Sequence, residues 1–360
     1  MKKVIFLGLI IFALPLKALA ISASSAIVMD LNSDQILFSQ NISERKLIAS
    51  TTKIMTAYVA IKYGDINKVV VVDKEVLKAY GSAIYIEVGE KLKLIDLLYG
   101  LMLRSGNDAA IIIANNISKN MDEFVKLMNK EATNIGMKNT IFLNNHGLED
   151  ENGDGNMSTA YDMAILMREA MKLDIFREIV STKKYTVKTN FKTYVWTNKN
   201  KLLHSYPYIT GGKTGYTKKA RRTLVTTAKK DNMNLVIVTL NDPNDFKDHK
   251  DLYEKYFKMY HAVLVIDKNN FKILTKYNKK NVKIYVKNDY YALIKNGDEK
   301  KISVKYNILN DVKITKDTYI GSADIYLGDT LLYKEKIFAT KEKKNGKKSL
   351  WQKIKGWFSW

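Results

Sequence analysis

The fold of this chain is decided by the stretch Ile48-Ala49-Ser50-Thr51-Thr52-Lys53-Ile54-Met55-Thr56, which runs into an apolar segment over residues 57–61. Ser50 and Lys53 are three positions apart, so a helix would place them on one face, about one turn apart. Because the flanking residues are almost all apolar, this helix is predicted to be buried nearly all round. Burial penalises an ammonium group and lowers its pKa. A partly neutral Lys53 would then accept the proton of Ser50 and make the serine a nucleophile.

The Ser-x-x-Lys spacing is common in a chain so rich in lysine. It also occurs at Ser43/Lys46 and at Ser181/Lys184. Charged residues lie within or beside both of these pairs, so they are expected at the surface. Only Ser50/Lys53 opens a long apolar run, and it is therefore the candidate catalytic pair.

The first twenty residues have the pattern of a secretory signal peptide. Lys2 and Lys3 precede an apolar run over residues 4–16, and Ala18-Leu19-Ala20 supplies the small residues of a cleavage site. We therefore predict an exported protein with a leader at residues 1–20. The alternative is an uncleaved membrane anchor, for which the apolar run is short.

Composition narrows the class of protein further. The 360 residues are enough for two domains. A formal net charge of +22, from 59 Lys plus Arg against 37 Asp plus Glu, favours contact with anionic lipid headgroups and wall polymers. Nucleic acid also attracts such charge, but export and the lack of a nucleic-acid-binding motif argue against it. The chain has no cysteine and four scattered histidines, so neither a metal nor another cofactor is expected.

Strands and helices are predicted to alternate in blocks over residues 21–262, the expected catalytic domain. Short strands are predicted at residues 26–30, 35–38, 69–72 and 83–88, helices over residues 92–173, strands again at 185–187, 194–196, 223–228 and 234–240, and a closing helix at 246–260. Strands at both ends with helices between them predict an α/β (α+β) fold. In it, an antiparallel sheet carries helices on both faces and a helical lobe.

The last hundred residues are predicted to differ in kind. Residues 263–340 consist of short alternating segments separated by Gly, Asn, Asp and Lys, which indicates a small all-β domain with a spacer or docking role. Residues 341–360 form a basic linker and a tail. The apolar residues of the tail fall on one helical face: Leu350, Trp351, Ile354, Trp357 and Phe358. About eleven residues cannot span a bilayer but suit an in-plane helix on an anionic membrane; the alternative is a tail packed on the β-domain.

Two more short motifs carry polar side chains. Ser105-Gly106-Asn107 lies between two predicted helices, where a cap or turn before Asp108 is the ordinary interpretation. Lys213-Thr214-Gly215 occurs once, after two glycines and before a strand, where glycine lets a ligand approach the backbone closely. Neither motif alone indicates a site.

In combination and in this order, the three groups match the constellation of penicillin-binding proteins and class A β-lactamases. The chain more closely resembles the low-molecular-mass penicillin-binding proteins that are serine-type D-alanyl-D-alanine carboxypeptidases. The segments that carry the resemblance are Ala-Ser-Thr-Thr-Lys-Ile-Met-Thr (49–56), Arg-Ser-Gly-Asn-Asp-Ala-Ala (104–110), His-Gly-Leu (146–148), Ser-Thr-Ala-Tyr-Asp (158–162) and Gly-Lys-Thr-Gly-Tyr-Thr (212–217). The resemblance covers residues 21–260 and, more weakly, the β-domain and the tail.

The resemblance implies a role for each matching residue. Ser50 would attack the carbonyl between the two terminal D-alanines of a peptidoglycan stem peptide, forming an acyl-enzyme and releasing D-alanine. Lys53 would act as the base for this step. Ser105 and Asn107 would transfer protons and hold the substrate amide.

The third motif would bind the other end of the substrate. Lys213, Thr214 and Gly215 would line the subsite for the terminal carboxylate. The backbone N–H groups of Ser50 and Tyr216 would form the oxyanion hole. β-Lactams would inhibit the enzyme by acylating the same serine.

The sequence departs from the family pattern at two places. Arg221 stands where many members have glycine, and residues 242–250 lack the arginine that the family often places near the carboxylate, with Lys247 as a candidate substitute. His146 lies in a family-like loop, where a packed histidine is favoured over a catalytic one.

The resemblance also leaves alternatives open. A D,D-endopeptidase or a β-lactamase would use the same site, and a wall-binding protein with a silent site is the non-enzymatic alternative. The expected location is the outer face of the cytoplasmic membrane, with the protein attached peripherally through its tail.

Overall fold

The computed structural model of the chain describes residues 21–279 and 281–341. The predicted leader at residues 1–20 and the amphipathic tail at 350–360 lie outside the described residues, and both stay predictions. None of the helices within the described ranges has the length and apolar character needed to cross a bilayer.

The described residues form strands, helices and a few short 3₁₀ or π turns. The strands are β1 (Ser25–Asp30), β2 (Ile36–Gln40), β3 (Lys46–Leu47), β4 (Val69–Val71), β5 (Lys91–Lys93), β6 (Met157–Ser158), β7 (Lys184–Lys188), β8 (Thr193–Thr197), β9 (Ile209–Thr217), β10 (Arg221–Lys230), β11 (Met233–Leu240), β12 (Tyr260–Ile266), β13 (Val282–Val286), β14 (Tyr290–Lys295), β15 (Ile302–Ile308), β16 (Thr318–Leu327) and β17 (Thr330–Lys341). The helices are α1 (Lys53–Tyr63), α2 (Leu94–Tyr99), α3 (Asn107–Ile117), α4 (Met121–Asn134), α5 (Ala160–Ala170), α6 (Asp174–Ser181), α7 (Leu202–Ser205) and α8 (Asp245–Met259). The 3₁₀ turns span Ala49–Thr52, Lys74–Lys78 and Glu299–Lys301, and a π turn spans Gly100–Arg104.

A five-stranded sheet in the order β2-β1-β11-β10-β9 is the centre of the first domain. All of its neighbouring strands are antiparallel. Strand β1, from the start of the domain, therefore lies beside β11, from its end. The intervening residues have to fold back over the sheet, and this places the helical lobe.

Helices cover both faces of this sheet. Alternate residues of its strands point to opposite sides, and apolar side chains on each side pack against helices. In β11, Val236 and Val238 belong to the larger core cluster, which includes α1 and α5. Leu235 and Ile237 belong to a second cluster, which includes α8. An antiparallel sheet covered on both sides is the predicted fold, and the comparisons reported below confirm the fold class.

Helix α1 is buried over most of its length. Every residue from Lys53 to Ala60 is buried, which agrees with the apolar pattern of the sequence. The helix packs against α3, α4, α5 and α6. Its first residue, Lys53, is thereby fixed at the junction between the helical lobe and the sheet.

The strand predicted over residues 83–88 is wrong. In the structure this segment is an irregular loop whose backbone is held by a carboxylate. Asp108, near the start of α3, accepts hydrogen bonds from the backbone N–H groups of Ile84, Tyr85 and Ile86. A buried backbone needs partners for its polar groups, and here a side chain from a distant helix supplies them in place of a neighbouring strand.

The C-terminal part is built from strands, as expected. Strands β12 and β14 pair with each other, and a four-stranded sheet has the order β13-β17-β16-β15. Its core is a separate apolar cluster that includes Ile266, Ile320 and Ile337. The domain division predicted at residues 262/263 falls inside β12 and stays a prediction.

Candidate active site

The candidate nucleophile lies on a tight 3₁₀ turn that leads directly into α1. Ala49 has a left-handed backbone with φ +46°, so the turn presents Ser50 away from the helix axis. The carbonyl of Ile48 accepts hydrogen bonds from Thr51 Oγ1 at 2.5 Å and from Thr223 Oγ1 of β10 at 3.1 Å. These bonds tie the turn to the sheet and fix the position of Ser50.

Position 147 requires glycine because its backbone lies very close to this turn. Its φ is +89°, and a Cβ at this position would lie 1.9 Å from the carbonyl oxygen of Ala49. No side chain fits there, and a left-handed backbone is costly for other residues. The His-Gly-Leu loop can therefore press against the nucleophile's turn only because it carries a glycine.

Lys53 is completely buried and forms three polar contacts. Its Nζ donates to Asn107 Oδ1 at 2.7 Å and to the carbonyl of His146 at 2.6 Å, and it lies 3.0 Å from Ser50 Oγ. Burial, assisted by the positive charge of nearby lysines, holds the pKa of Lys53 well below its usual range. The predicted buried lysine beside a serine hydroxyl is thus present in the structure.

The Ser-x-Asn motif meets this pair at the mouth of the helical lobe. Ser105 ends the π turn with a left-handed backbone of φ +67°. Its Oγ is buried and has no hydrogen-bond partner among the described residues. Asn107 begins α3, and its Nδ2 donates to the carbonyl of Tyr80 at 2.5 Å. This orients Oδ1 of the same amide towards Lys53.

The Lys-Thr-Gly motif lies on the edge strand β9. Lys213 is buried and donates to the carbonyl of Thr214 at 2.7 Å. Burial, with a contribution from the charge of Lys199, lowers the pKa of Lys213 to about 7. A Cβ on Gly215 would lie 3.0 Å from the Ser50 backbone nitrogen and 2.4 Å from Thr223 Oγ1. Glycine therefore lets this strand lie directly against the nucleophile's turn.

These elements enclose an open cleft of about 370 Å³. Its lining residues come from the turn, the lobe and the sheet: Ser50, Ser82, Ser105, Lys199, Lys201, Thr214, Gly215, Tyr216, Arg222, Asp245 and Phe246. A larger hollow of about 700 Å³ lies between the ends of α3 and α4. It contains no nucleophile paired with a base, so the smaller cleft is the candidate active site.

Several cleft residues were missed by sequence reasoning. Lys199 and Lys201 follow β8 in a segment without a recognisable motif, and only the tertiary structure brings them beside Ser50. Arg222 lies opposite Tyr216 across the β9–β10 pair. It forms an ion pair with Asp245 at 2.7 Å. The signal in the sequence is the Arg221-Arg222 pair, of which the departure from the family pattern draws attention only to Arg221.

Lys247, the candidate substitute for the family's arginine, does not line the cleft. Its side chain is exposed and forms an ion pair with Asp251 one turn further along α8. The nearest guanidinium in the cleft is that of Arg222.

His146 contributes to the site through its backbone. Its carbonyl accepts from Lys53, while its Nδ1 accepts from the backbone N–H of Leu148 at 3.1 Å. Burial and the adjacent Lys53 lower the pKa of His146 to about 4. The ring is therefore neutral near pH 7 and is held in place by its own loop.

Among the described residues, no group of three or more His, Cys, Asp or Glu side chains is arranged to hold a metal ion.

Comparison with protein-family models identifies both parts of the chain. Residues 13–244 match the family described as D-alanyl-D-alanine carboxypeptidase. The chain belongs to this carboxypeptidase family. Residues 260–345 match the C-terminal domain of penicillin-binding protein 5. Family membership confirms the resemblance read from the three motifs, and it confirms the expectation of a serine-type peptidase at the level of the family.

Curated D-alanyl-D-alanine carboxypeptidases match more than half of the chain. One from Bacillus subtilis (strain 168) is 38% identical over 226 residues, which cover 61% of this chain and 57% of the relative. One from Haemophilus influenzae is 32% identical over 310 residues, which cover 80% of this chain and 76% of the relative. The chain thus spans little more than half of the length of the first of these relatives.

Solved structures of carboxypeptidase-family proteins share the fold. Penicillin-binding protein 5 from Haemophilus influenzae superposes with a TM-score of 0.74 at 27% identity, covering 90% of this chain and 98% of that one. A variant of the DD-transpeptidase of Streptomyces K15 has a TM-score of 0.63 at 31% identity, covering 67% of this chain and 99% of that one. At 90% coverage, the first comparison extends over both parts of the chain.

Proposed function

We propose that the protein is an exported serine-type D-alanyl-D-alanine carboxypeptidase that removes the terminal D-alanine from peptidoglycan pentapeptides. The observation that carries the proposal is the buried amine of Lys53, 3.0 Å from the hydroxyl of Ser50 at the floor of an open cleft. Family membership supports the choice of substrate, since the relatives are named as carboxypeptidases of this specificity.

The hydrogen bonds of Lys53 fit a neutral amine that acts as a base. A neutral amine has two N–H donors and one lone pair. Two acceptors, Asn107 Oδ1 and the His146 carbonyl, take the two donors, and the third direction points to Ser50 Oγ. The lone pair is then available for the serine proton, and the lowered pKa of Lys53 keeps a neutral fraction present near pH 7.

Acylation follows from this arrangement. Lys53 accepts the hydroxyl proton of Ser50 while Ser50 Oγ attacks the carbonyl between the two D-alanines. The C–N bond of the tetrahedral intermediate breaks when the leaving amine is protonated, and D-alanine departs. Ser105 would pass that proton, and its buried Oγ, which has no partner in the described structure, supports this role. Water then hydrolyses the ester and frees Ser50.

Charge that develops on the substrate carbonyl needs preorganised donors. The backbone N–H groups of Ser50 and Tyr216 are assigned this role. The close approach of β9 to the nucleophile's turn supports it, because a Cβ added to Gly215 would lie only 3.0 Å from the Ser50 nitrogen. Asn107 would hold the substrate amide from the side of the lobe.

The substrate's terminal carboxylate would bind at the basic end of the cleft. Thr214 lines the cleft, and the buried Lys213 precedes it on β9. With its pKa lowered to about 7, Lys213 is only partly charged near pH 7, and an approaching carboxylate would favour its charged form. Arg222 and Lys199 contribute further charge from β10 and from the segment after β8. Together they make the cleft selective for an anionic peptide end.

Replacement of the nucleophile tests the proposal directly. We expect Ser50→Ala to abolish D-alanine release from a diacyl-lysyl-D-alanyl-D-alanine peptide and to abolish covalent labelling by penicillin, with an unchanged circular dichroism spectrum. Ser181→Ala is the matched control, since Ser181 has the same spacing to a lysine but is exposed. Activity that survives in Ser50→Ala would contradict the proposal.

The same assay separates the alternatives. Slow hydrolysis of the penicilloyl ester indicates a carboxypeptidase, whereas rapid turnover indicates a β-lactamase. Release of D-alanine from a monomeric peptide without cleavage of cross-linked dimers argues against an endopeptidase.

The place of action is proposed to be the envelope, on the outer face of the cytoplasmic membrane. The leader at residues 1–20 and the tail face of Leu350, Trp351, Ile354, Trp357 and Phe358 support this proposal from sequence alone. We expect deletion of residues 350–360 to move the protein from the membrane to the soluble fraction while activity on a soluble peptide is retained. Unchanged fractionation would contradict the anchor.

A further inference from the structure

The residues just before β1 run along the connection between β11 and α8. Ser24 donates its backbone N–H to the carbonyl of Asn241 at 3.0 Å, and Asn241 Nδ2 donates back to Ser24 Oγ at 2.8 Å. Ile21 packs against the apolar cluster that contains α8. Residues 21–24 therefore have a defined position at one end of the sheet.

Ser22 contacts two buried carboxylates at this position. Its backbone N–H donates to Asp248 Oδ2 at 2.5 Å, and its Oγ lies 2.6 Å from Asp242 Oδ1 and 2.8 Å from Asp248 Oδ2. Asp242 is fully buried and Asp248 nearly so. The second oxygen of Asp242, Oδ2, is buried and has no hydrogen-bond partner within the described ranges.

The nearby cations are engaged elsewhere. Lys247 pairs with Asp251, and Arg222 pairs with Asp245. In residues 21–279 and 281–341, no ion pair to Asp242 or Asp248 is formed by a lysine, arginine or histidine. Burial and the charge of Asp248 raise the pKa of Asp242 to about 6. Within the described structure, the two buried carboxylates accept hydrogen bonds only from N–H and O–H groups. Because buried negative charges are normally paired with a cation, a positively charged group would fit this site.

We propose that Asp242 and Asp248 bind the α-ammonium group that removal of the leader creates on Ile21. The inference rests on the proposed function, because it requires export and cleavage after Ala20. The nitrogen of Ile21 is one residue from the nitrogen of Ser22, a distance of roughly 3–4 Å. An ammonium there would bring a positive charge and three donors close to the two carboxylates that Ser22 contacts.

This ion pair would also support the active-site cleft. The connection over residues 241–244 leads straight into Asp245, which holds Arg222 at the cleft wall. The processed chain would thus have a firmer connection than the precursor, in which the same nitrogen is an uncharged amide.

The test compares two chains that differ only at the amino terminus. One begins at Ile21, and the other keeps Ala18-Leu19-Ala20 in front of it. We expect the first to have a higher Tm at pH 7, by roughly 2–4 °C for a domain of about 240 residues. The same pair of termini in an Asp242→Asn, Asp248→Asn background should show no difference.

The pH dependence of the difference requires no substitution at the site. Pairing raises the pKa of the α-amino group above its unfolded value of about 7.7–8.0. The extra stability is therefore fully present below about pH 7.7 and is lost as the pH rises through the folded value. We expect the Tm gap to close in alkaline solution.

Equal Tm values at pH 7, a gap that persists at high pH, or a gap that survives in the Asn variants would overturn the inference. Penicillin labelling of both chains reports on the proposed function separately. Loss of labelling with the Tm gap intact would refute the activity and leave the amino-terminal site standing.

Discussion

Two fully buried bases lie on opposite sides of the central sheet, and only one of them faces the candidate active site. Lys53 begins α1 on the side of the helical lobe, and His249 lies in α8 on the other side. Both have pKa values lowered by burial, that of His249 to about 3. Burial therefore favours the neutral form of each base.

The difference lies in what remains of each base's hydrogen-bonding capacity. Both ring nitrogens of His249 are occupied, one by Thr226 Oγ1 at 2.7 Å and the other by Thr239 Oγ1 at 3.0 Å. Lys53 donates hydrogen bonds to two acceptors, and its third contact is with Ser50, which lines the cleft. A shifted pKa is a stronger indication of a functional site when the group also has an unused hydrogen-bonding position and access to solvent.

The largest effect is expected from removal of the buried amine. Lys53→Met keeps the apolar stem and removes the base, so the rate of acylation by labelled penicillin should fall roughly 10²–10⁴-fold. The fold should survive, because an apolar side chain of similar length replaces a buried charge. Lys184→Met, at the exposed Ser-x-x-Lys pair, is the matched control and should acylate normally. A normal rate in Lys53→Met would remove the distinction between the two bases.

A smaller but sharper effect is expected at the loop that supports Lys53. Gly147→Ala would force a methyl group against the carbonyl of Ala49, so acylation should slow by at least about tenfold and the free energy of unfolding should fall by more than about 2 kcal/mol. Gly136→Ala is the control, because Gly136 has the same φ of +89° but nothing within 4 Å of its Cβ position.

In Gly136→Ala only the left-handed backbone is penalised, at about 1–2 kcal/mol, and activity should be unchanged. Equal effects of the two alanines on penicillin acylation would show that the contact with the nucleophile's turn is unimportant.

The smallest effect on activity is expected from His249. The folded pKa of about 3 lies below the ordinary value of 6.5, so the unfolded state binds more protons between these values. The histidine's contribution to stability is therefore present above about pH 6.5 and is lost as the pH falls towards 3, by at most about 1.4 kcal/mol per pH unit.

His249→Gln should remove this component from the acid side of the stability curve, as measured by urea unfolding at pH 7 and pH 5, while penicillin labelling at pH 7 is retained. Loss of labelling in a folded His249→Gln protein would mean that the far side of the sheet takes part in catalysis.

Local patterns were sufficient for most of the fold and for the core of the site. Short apolar runs beside turn residues predicted β1, β10 and β11, and the long apolar run predicted the burial of α1, because such patterns are local properties of the sequence. The loop at residues 83–88 was mistaken for a strand, since its backbone is satisfied by Asp108 from a helix that lies more than twenty positions away. A single sequence carries no signal for such a contact.

By itself, the sequence determined which groups can do the chemistry: a serine and a lysine one turn apart, and two short motifs of fixed order. Only the tertiary structure decided that Lys199 and Arg222 share their cleft, that Lys247 does not, and that Ser22 meets two buried aspartates. Helical spacing is set by nearest neighbours along the chain. Charge, burial and pKa depend on which distant segments the core brings together.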